Sequence, residues 1–203
     1  MEAVLEVYGG DGFGLWPVAE VEGYGFMALN GGLTPAEVGT AVMRIASAND
    51  IDSGHDERPP RPADPLGAFL HGLLTVNSLI APGGLRVVDG VAVVPGCCSG
   101  LEDWREWYGV LDGDGCASFG HDPLPTAERR DEIVRLTVDA EHEGGPVIDL
   151  SVAELRGLLV RAERDLLDFL ALATDWAHHQ LSHHADSVTA ALARALDLRR
   201  EGQ

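Results

Sequence analysis

Lysine is absent from the sequence, so arginine supplies all 14 basic residues against 33 acidic ones. The formal charge of −19 argues against binding to bare nucleic acid, because basic side chains are needed to neutralise phosphates. An acidic surface keeps a protein in solution and speeds its association with a basic partner. We therefore expect a protein partner, with a basic protein as the candidate, and no nucleic acid. A homodimer is a further alternative.

Long apolar runs, a leader segment and a large set of cysteines are also missing. No apolar run approaches the ~20 residues that a membrane-spanning helix needs. Met1 is followed by Glu2, whereas a secretory signal would begin with basic and then apolar residues. Three cysteines are too few for a disulfide scaffold. These absences predict a cytoplasmic protein that does not associate with a membrane.

The residues that are present carry both strand and helix signals, which predicts an α+β fold in a single domain over residues 1–203. Short alternating apolar stretches between residues 3 and 30 predict two or three strands. Asp-Gly between two β-branched runs predicts a hairpin over 85–94, and residues 132–140 form a further candidate strand. We expect a small antiparallel or mixed sheet with helices packed on it.

Helix signals are clearest where a capping residue precedes an apolar repeat. Thr34 with Glu37, and Ser151 with Glu154, have the spacing of capping boxes. The predicted helices span 35–47, 66–80, 101–110, a long region that starts at 151, and 186–198. Residues 151–200 thus form a helical C-terminal region. The proline- and acid-rich segment 49–65 is predicted to be an exposed loop, and 112–128 a polar loop.

The segment Gly96-Cys97-Cys98-Ser99-Gly100 has the form Gly-x-Cys-x-Gly between an apolar strand and a predicted helix. This context resembles the nucleophile elbow of hydrolases, with Cys98 in the nucleophile position. A thiol at a helix N-terminus can have a lowered pKa. His121 is the candidate base, and Asp122 or Asp149 the residue that orients it. The alternative is a tight glycine-rich turn whose small thiols pack in the core.

Histidines 178, 179, 183 and 184 are the second candidate site. On one continuous helix, Asp175, His179 and His183 would share a stripe with the i, i+4 spacing that suits zinc or another divalent metal. Ser182 and Asp186 are good N-caps, however, so the helix can end inside the group and scatter its side chains. We expect no cofactor, with this metal site as the alternative.

Three aromatic residues fall within the five-residue run that begins at Trp104. One interpretation is that they cover the sheet. The other is that Trp107 and Arg105 form a contact pair on a binding surface, since Trp, Tyr and Arg dominate interface hot spots. The candidate binding residues are Trp104, Arg105, Trp107, Tyr108 and His121.

The residues from Pro95 to Trp107, followed by Gly120-His121-Asp122-Pro123, resemble a segment of small, acidic, uncharacterised actinobacterial proteins. The similarity covers residues 85–125 well and 150–180 more loosely, and it implies no catalytic residues. In size and charge the chain is also similar to bacterial toxin-immunity proteins. The favoured hypothesis is a non-catalytic protein-binding protein, immunity-like or regulatory. The alternative is a small hydrolase that uses Cys98 or a metal held within 175–184.

Overall fold

The computed structural model describes residues 1–9, 12–51, 58–113 and 115–198. Within these residues, eight strands form two four-stranded antiparallel sheets, and five α-helices cover them. The chain is an α+β protein with a helical C-terminal region, and the predicted fold class is confirmed. None of the helices in these ranges is both long and apolar enough to cross a membrane.

The first sheet has the strand order β2-β1-β3-β4. Its strands are β1 (Glu2–Val7), β2 (Gly25–Ala28), β3 (Gly83–Asp89) and β4 (Val91–Val93). Strands β3 and β4 form the predicted hairpin, in which Asp89 pairs with Val91 across Gly90. A glycine is required at position 83, because a Cβ there would lie 2.1 Å from the Val4 carbonyl oxygen.

The second sheet runs in chain order through β5 (Cys116–Ser118), β6 (Thr126–Arg130), β7 (Ile133–Thr137) and β8 (Val147–Ser151). Only β7 was expected from the sequence. The prediction that 112–128 is a loop is wrong, because β5 and the start of β6 lie there. Strands β5 and β6 are short and polar. The sheet is held by cross-strand pairing, in which Arg135 of β7 lies between Glu128 of β6 and Asp149 of β8.

Three helices begin after a capping side chain, that of Thr34, Asp64 or Ser151, and the described residues contain five α-helices in all. They are α1 (Pro35–Ala48), α2 (Pro65–Thr75), α3 (Glu106–Asp112), α4 (Val152–Gln180) and α5 (Ala185–Ala195). Both predicted capping boxes, at the starts of α1 and α4, are formed. The predicted helix over 101–110 is instead a 3-10 turn, Leu101–Asp103, followed by α3.

Helix α2 ends five residues before the predicted position at 80. Val76 has an extended backbone, and the buried Asn49 side chain holds the segment that follows. Its amide donates to the carbonyl oxygens of Ile45 at 2.7 Å and Ile80 at 2.8 Å, and accepts from the Ile80 N–H at 3.0 Å. The side chains of 59–65 are exposed, as predicted, while 52–57 lie outside the described residues.

The buried apolar residues form one continuous cluster that includes members of both sheets. Helix α4 contributes one complete apolar face to this cluster, including Leu159, Leu166 and Phe169. Trp104 and Trp107 are also buried in it, and the Trp104 indole donates to the Leu196 carbonyl oxygen at 3.0 Å. The turn after β4 is therefore attached to the core on its C-terminal side.

Candidate functional site

The turn from Gly96 to Gly100 follows β4 and pairs with the chain just after β5. The Cys97 N–H donates to the His121 carbonyl oxygen at 2.6 Å, and the His121 N–H donates back to the Cys97 carbonyl oxygen at 3.1 Å. The Gly96 N–H donates to the Phe119 carbonyl oxygen at 2.9 Å. This short antiparallel bridge places His121 beside the two adjacent cysteines.

The turn is tight, and its backbone is strained at the candidate nucleophile. Cys98 has a φ of 64°, in the left-handed region that non-glycine residues avoid. Such strain is typical of a nucleophile elbow, where it presents the side chain at the top of the turn. Both Cys97 and Cys98 are exposed. The tight-turn interpretation is thus supported, but the expectation that its thiols pack in the core is wrong.

Replacing Gly96 by alanine is expected to lower the free energy of unfolding by about 2 kcal/mol or more. A Cβ at this position would lie 2.2 Å from the Pro123 carbonyl oxygen and 2.6 Å from the His121 nitrogen. Gly109→Ala is the matched control, because a Cβ on that residue of α3 meets nothing within 4 Å. The control should be neutral or more stable. Equal urea midpoints for both variants would contradict the close approach.

Three potential ligand or acid–base groups meet above this turn. The Cys97 and Cys98 sulfurs are 3.6 Å apart, and both lie within 4.8 Å of a His121 ring nitrogen. His121 Nδ1 lies 3.2 Å from a carboxylate oxygen of Asp122. Of the two candidate orienting residues, Asp122 is therefore in place. Asp149 instead forms a bidentate ion pair with Arg135, at 2.7 and 2.8 Å.

The neighbouring groups shift the acidities of the thiol and the imidazole in opposite directions. Hydrogen bonds from the Cys97 thiol and then from His121 lower the pKa of Cys98. Hydrogen bonds to Cys98 and then to Asp122 raise the pKa of His121. The hydrogen bond to Cys98 raises the pKa of Cys97, which favours the protonated form of that thiol. The arrangement favours a Cys98 thiolate beside a His121 imidazolium.

A cavity of about 190 Å³ opens beside Cys98. Its floor is aromatic, because the rings of Trp107 and Phe119 stack at a centroid distance of 4.0 Å. Ser99 lines the same cavity, and the exposed carboxylates of Asp103 and Glu106 stand at its rim. The exposed thiol thus lies at the edge of a small enclosed space into which a substrate group could fit.

Cys97, Cys98 and His121 could also hold a metal ion. Two thiolates and one imidazole are a donor set that suits zinc. Asp122 would accept a hydrogen bond from the metal-binding histidine without itself touching the metal. Across the described ranges, no second group of three such side chains comes as close together. The three residues therefore have two chemical uses, nucleophilic catalysis and coordination of a soft metal.

The alternative metal site at Asp175, His179 and His183 is not assembled. Helix α4 ends at Gln180, so Asp175 and His179 lie on the helix while His183 lies in the turn after it. The buried Leu181 closes the helix, and its N–H donates to the Ala177 carbonyl oxygen at 2.8 Å. The helix ends inside the histidine group, as predicted, but neither Ser182 nor Asp186 is the N-cap of α5, which begins after His184 without a side-chain capping bond.

Of the candidate binding residues, His121 is exposed and the two tryptophans are not. Trp104 and Trp107 are 1% and 2% exposed, so neither indole can anchor a partner. Arg105 forms ion pairs with Glu163 at 2.8 Å and Asp197 at 3.1 Å, and Tyr108 is half-buried. This run connects α3 to the C-terminal helices. The expectation of an exposed Trp107–Arg105 contact pair is wrong.

In comparisons with known proteins, no protein-family model, no curated protein and no solved structure matches the chain. Fold and site together define an α+β protein with an exposed Cys98–His121–Asp122 arrangement beside a small cavity.

Proposed function

We propose that the chain is a small thiol-dependent hydrolase in which Cys98 is the nucleophile. The observation that supports this best is that the Cys98 sulfur lies within 4.8 Å of a His121 ring nitrogen, while His121 Nδ1 lies 3.2 Å from a carboxylate oxygen of Asp122. A nucleophile, a base within reach, and a third group that orients the base are the recurring parts of nucleophilic catalysis. Asp122 lies 3.2 Å from Nδ1 of His121, the position from which a carboxylate orients a histidine base.

The chemistry follows from the charges of the pair. The Cys98 thiolate attacks the carbonyl carbon of an acyl substrate and forms a C–S bond. The bond to the leaving oxygen breaks, and His121 donates its proton to that oxygen. Water then attacks the thioester, His121 takes a proton from the water, and the C–S bond breaks. A carboxylic acid is released, and the thiolate–imidazolium pair is restored.

The cavity beside Cys98 bounds the substrate. At about 190 Å³ it is smaller than a typical drug-sized pocket, which favours a short acyl group. Asp103 and Glu106 at the rim disfavour an anionic substrate by charge repulsion. The Ser99 N–H donates to the Gly96 carbonyl oxygen at 3.3 Å, unlike the free amide of a hydrolase elbow. We assign the oxyanion contact to the Ser99 hydroxyl instead.

Limited alkylation with iodoacetamide tests the nucleophile directly. At neutral pH we expect Cys98 to react about tenfold faster than Cys116, because its thiolate is stabilised. Cys116 is a matched control, since it is a second exposed cysteine, on β5. Tandem mass spectrometry of the digested protein locates the label. Cys98→Ser should remove the fast phase, whereas Cys116→Ser should leave it unchanged. Equal rates at the two sites would refute the proposal.

A zinc site is a second candidate function, favoured by the Cys97 sulfur at 3.6 Å from that of Cys98. The hydrolase mechanism proposed above needs Cys98 and His121 but has no use for Cys97 as a metal ligand. Metal analysis of untagged protein separates the two candidates. Stoichiometric zinc that is lost in Cys97→Ser would favour coordination, whereas metal-free protein with a fast Cys98 would favour nucleophilic catalysis.

Binding of a basic protein remains a prediction of a different class, supported by the formal charge of −19. Its tryptophan anchors are buried, so such a partner would be held by charge, and raised salt would slow its association. We also propose that the protein works in the cytoplasm, because three cysteines are too few for a disulfide scaffold and a reducing compartment is the simplest setting for them.

A further inference from the structure

Arg44 on α1 is the one buried charged side chain among the residues described, with 5% of its surface exposed. It borders a cavity of about 350 Å³ that is also lined by Tyr8, the residue that follows β1. We call this space the Arg44 cavity. The side chains that line it are those of Tyr8, Phe13, Met43, Arg44, Ser47 and Phe69.

No carboxylate of the described residues forms an ion pair with Arg44. The Arg44 Nε–H donates to the Glu6 main-chain carbonyl oxygen at 3.3 Å, and the guanidinium carbon lies 3.3 Å from the centre of the Tyr8 ring. None of the described residues that line the Arg44 cavity is acidic.

This environment determines what the guanidinium can still bind. Burying a cation without an anion is costly, and the Tyr8 ring offsets only part of that cost. Tyr8 covers one face and Glu6 engages Nε, so the two Nη groups remain as donors in the guanidinium plane. Two such donors fit the oxygens of a carboxylate or phosphate. The missing partner is therefore an oxyanion.

The remaining walls of the Arg44 cavity describe the rest of the ligand. The rings of Phe13 and Phe69 are 5.2 Å apart, and Met43 adds a polarisable apolar surface. About 350 Å³ falls within the range of small-molecule pockets, which are mostly apolar with a few placed polar groups. We propose that the Arg44 cavity binds a small organic acid whose oxyanion pairs with Arg44 and whose aromatic or apolar group packs on Phe13 and Phe69.

The test uses a competing carboxylate built into the chain. Ser47 lies one helical turn after Arg44, is exposed, and lines the cavity. At i+3 spacing, the side chain of Ser47→Glu reaches the Arg44 guanidinium and occupies it. Ser47→Gln has the same size without the charge and is the matched control. Neither change removes a buried group, so both variants keep the core intact.

Benzoate, phenyl phosphate and neutral benzamide are the probes, titrated into the full chain and followed by ¹H–¹⁵N NMR. We expect saturable shifts around Arg44 with benzoate or phenyl phosphate, and at least about tenfold weaker binding of benzamide. Which of the two anions binds more tightly identifies the oxyanion as carboxylate or phosphate. Ser47→Glu and Arg44→Gln should each weaken anion binding at least about tenfold, whereas Ser47→Gln should retain it.

Two results would overturn the proposal. One is equal binding of benzoate and benzamide, which would make the cavity merely apolar. The other is unchanged anion binding in Ser47→Glu, a variant that remains informative even if Arg44→Gln fails to fold. The outcome is independent of the Cys98 chemistry, because none of these changes touches that site.

Discussion

Trp107→Ala is expected to lower the free energy of unfolding by about 3–5 kcal/mol. The indole is 2% exposed in the common core, and its ring stacks on Phe119 with an interplanar angle of 5°. Removing it deletes a large buried apolar surface and leaves a void next to the site cavity. Because Phe119 precedes His121 by two residues, the loss should also loosen the chain that carries His121.

Urea unfolding followed by circular dichroism measures the effect, provided that the transition is two-state. Tyr24→Ala is the control, since Tyr24 is 64% exposed just before β2. It should cost less than about 1 kcal/mol. If Trp107→Ala were as mild as this control, the indole would be a surface group, and the interpretation of the aromatic run as a binding surface would return.

The elements that local chemistry specifies were predictable from the sequence. The capping boxes at Thr34 and Ser151 begin α1 and α4 at the expected residues, and Asp89-Gly90 joins the β3–β4 hairpin. Each of these signals depends on residues within four positions of one another. A local pattern is sufficient when the hydrogen bonds that it predicts are themselves local.

The second sheet could not be predicted in this way, because its strands are stabilised by partners and not by their own composition. Cys116–Ser118 has three residues, and Thr126–Arg130 carries three charged side chains. Strand β6 pairs with β7, and β5 pairs with β6. This pairing makes both segments strands. Strand propensity depends on such neighbours more strongly than helix propensity does.

The candidate site, too, was predictable only where its residues lie close together in the sequence. Gly-x-Cys-x-Gly and the nearby His121-Asp122 pair predicted a candidate nucleophile and a candidate base, and the structure brings these residues together. The choice between Asp122 and Asp149 was open, because it depends on where β8 lies, and β8 places Asp149 opposite Arg135. The role of Cys97 was missed, although its position next to Cys98 was a usable signal. Arg44 gave no signal, since burial is not visible in one sequence.

The largest kinetic effects are expected at Cys98 and His121, with p-nitrophenyl acetate as the reporter substrate. Cys98→Ser should lower the rate by about 10³-fold or more, because an alcohol is not ionised at neutral pH. His121→Asn should lower it by about 10²-fold, because the thiolate loses the hydrogen-bonded imidazolium that stabilises it. Cys116→Ser should match the wild type, as should Ser47→Gln.

The pH dependence separates a catalytic role of His121 from a merely structural one. In the wild type, the alkylation rate of Cys98 should rise with pH around a midpoint below the usual pKa of a thiol, because Cys97 and His121 lower the pKa of Cys98. Removing either neighbour removes a group that favours the thiolate, so Cys97→Ala and His121→Asn should each move this midpoint to higher pH. At high pH, where every thiol is ionised, the variants should recover most of the wild-type alkylation rate. A midpoint that stays in place in both folded variants would show that neither group acts on Cys98, and the hydrolase proposal would lose its basis.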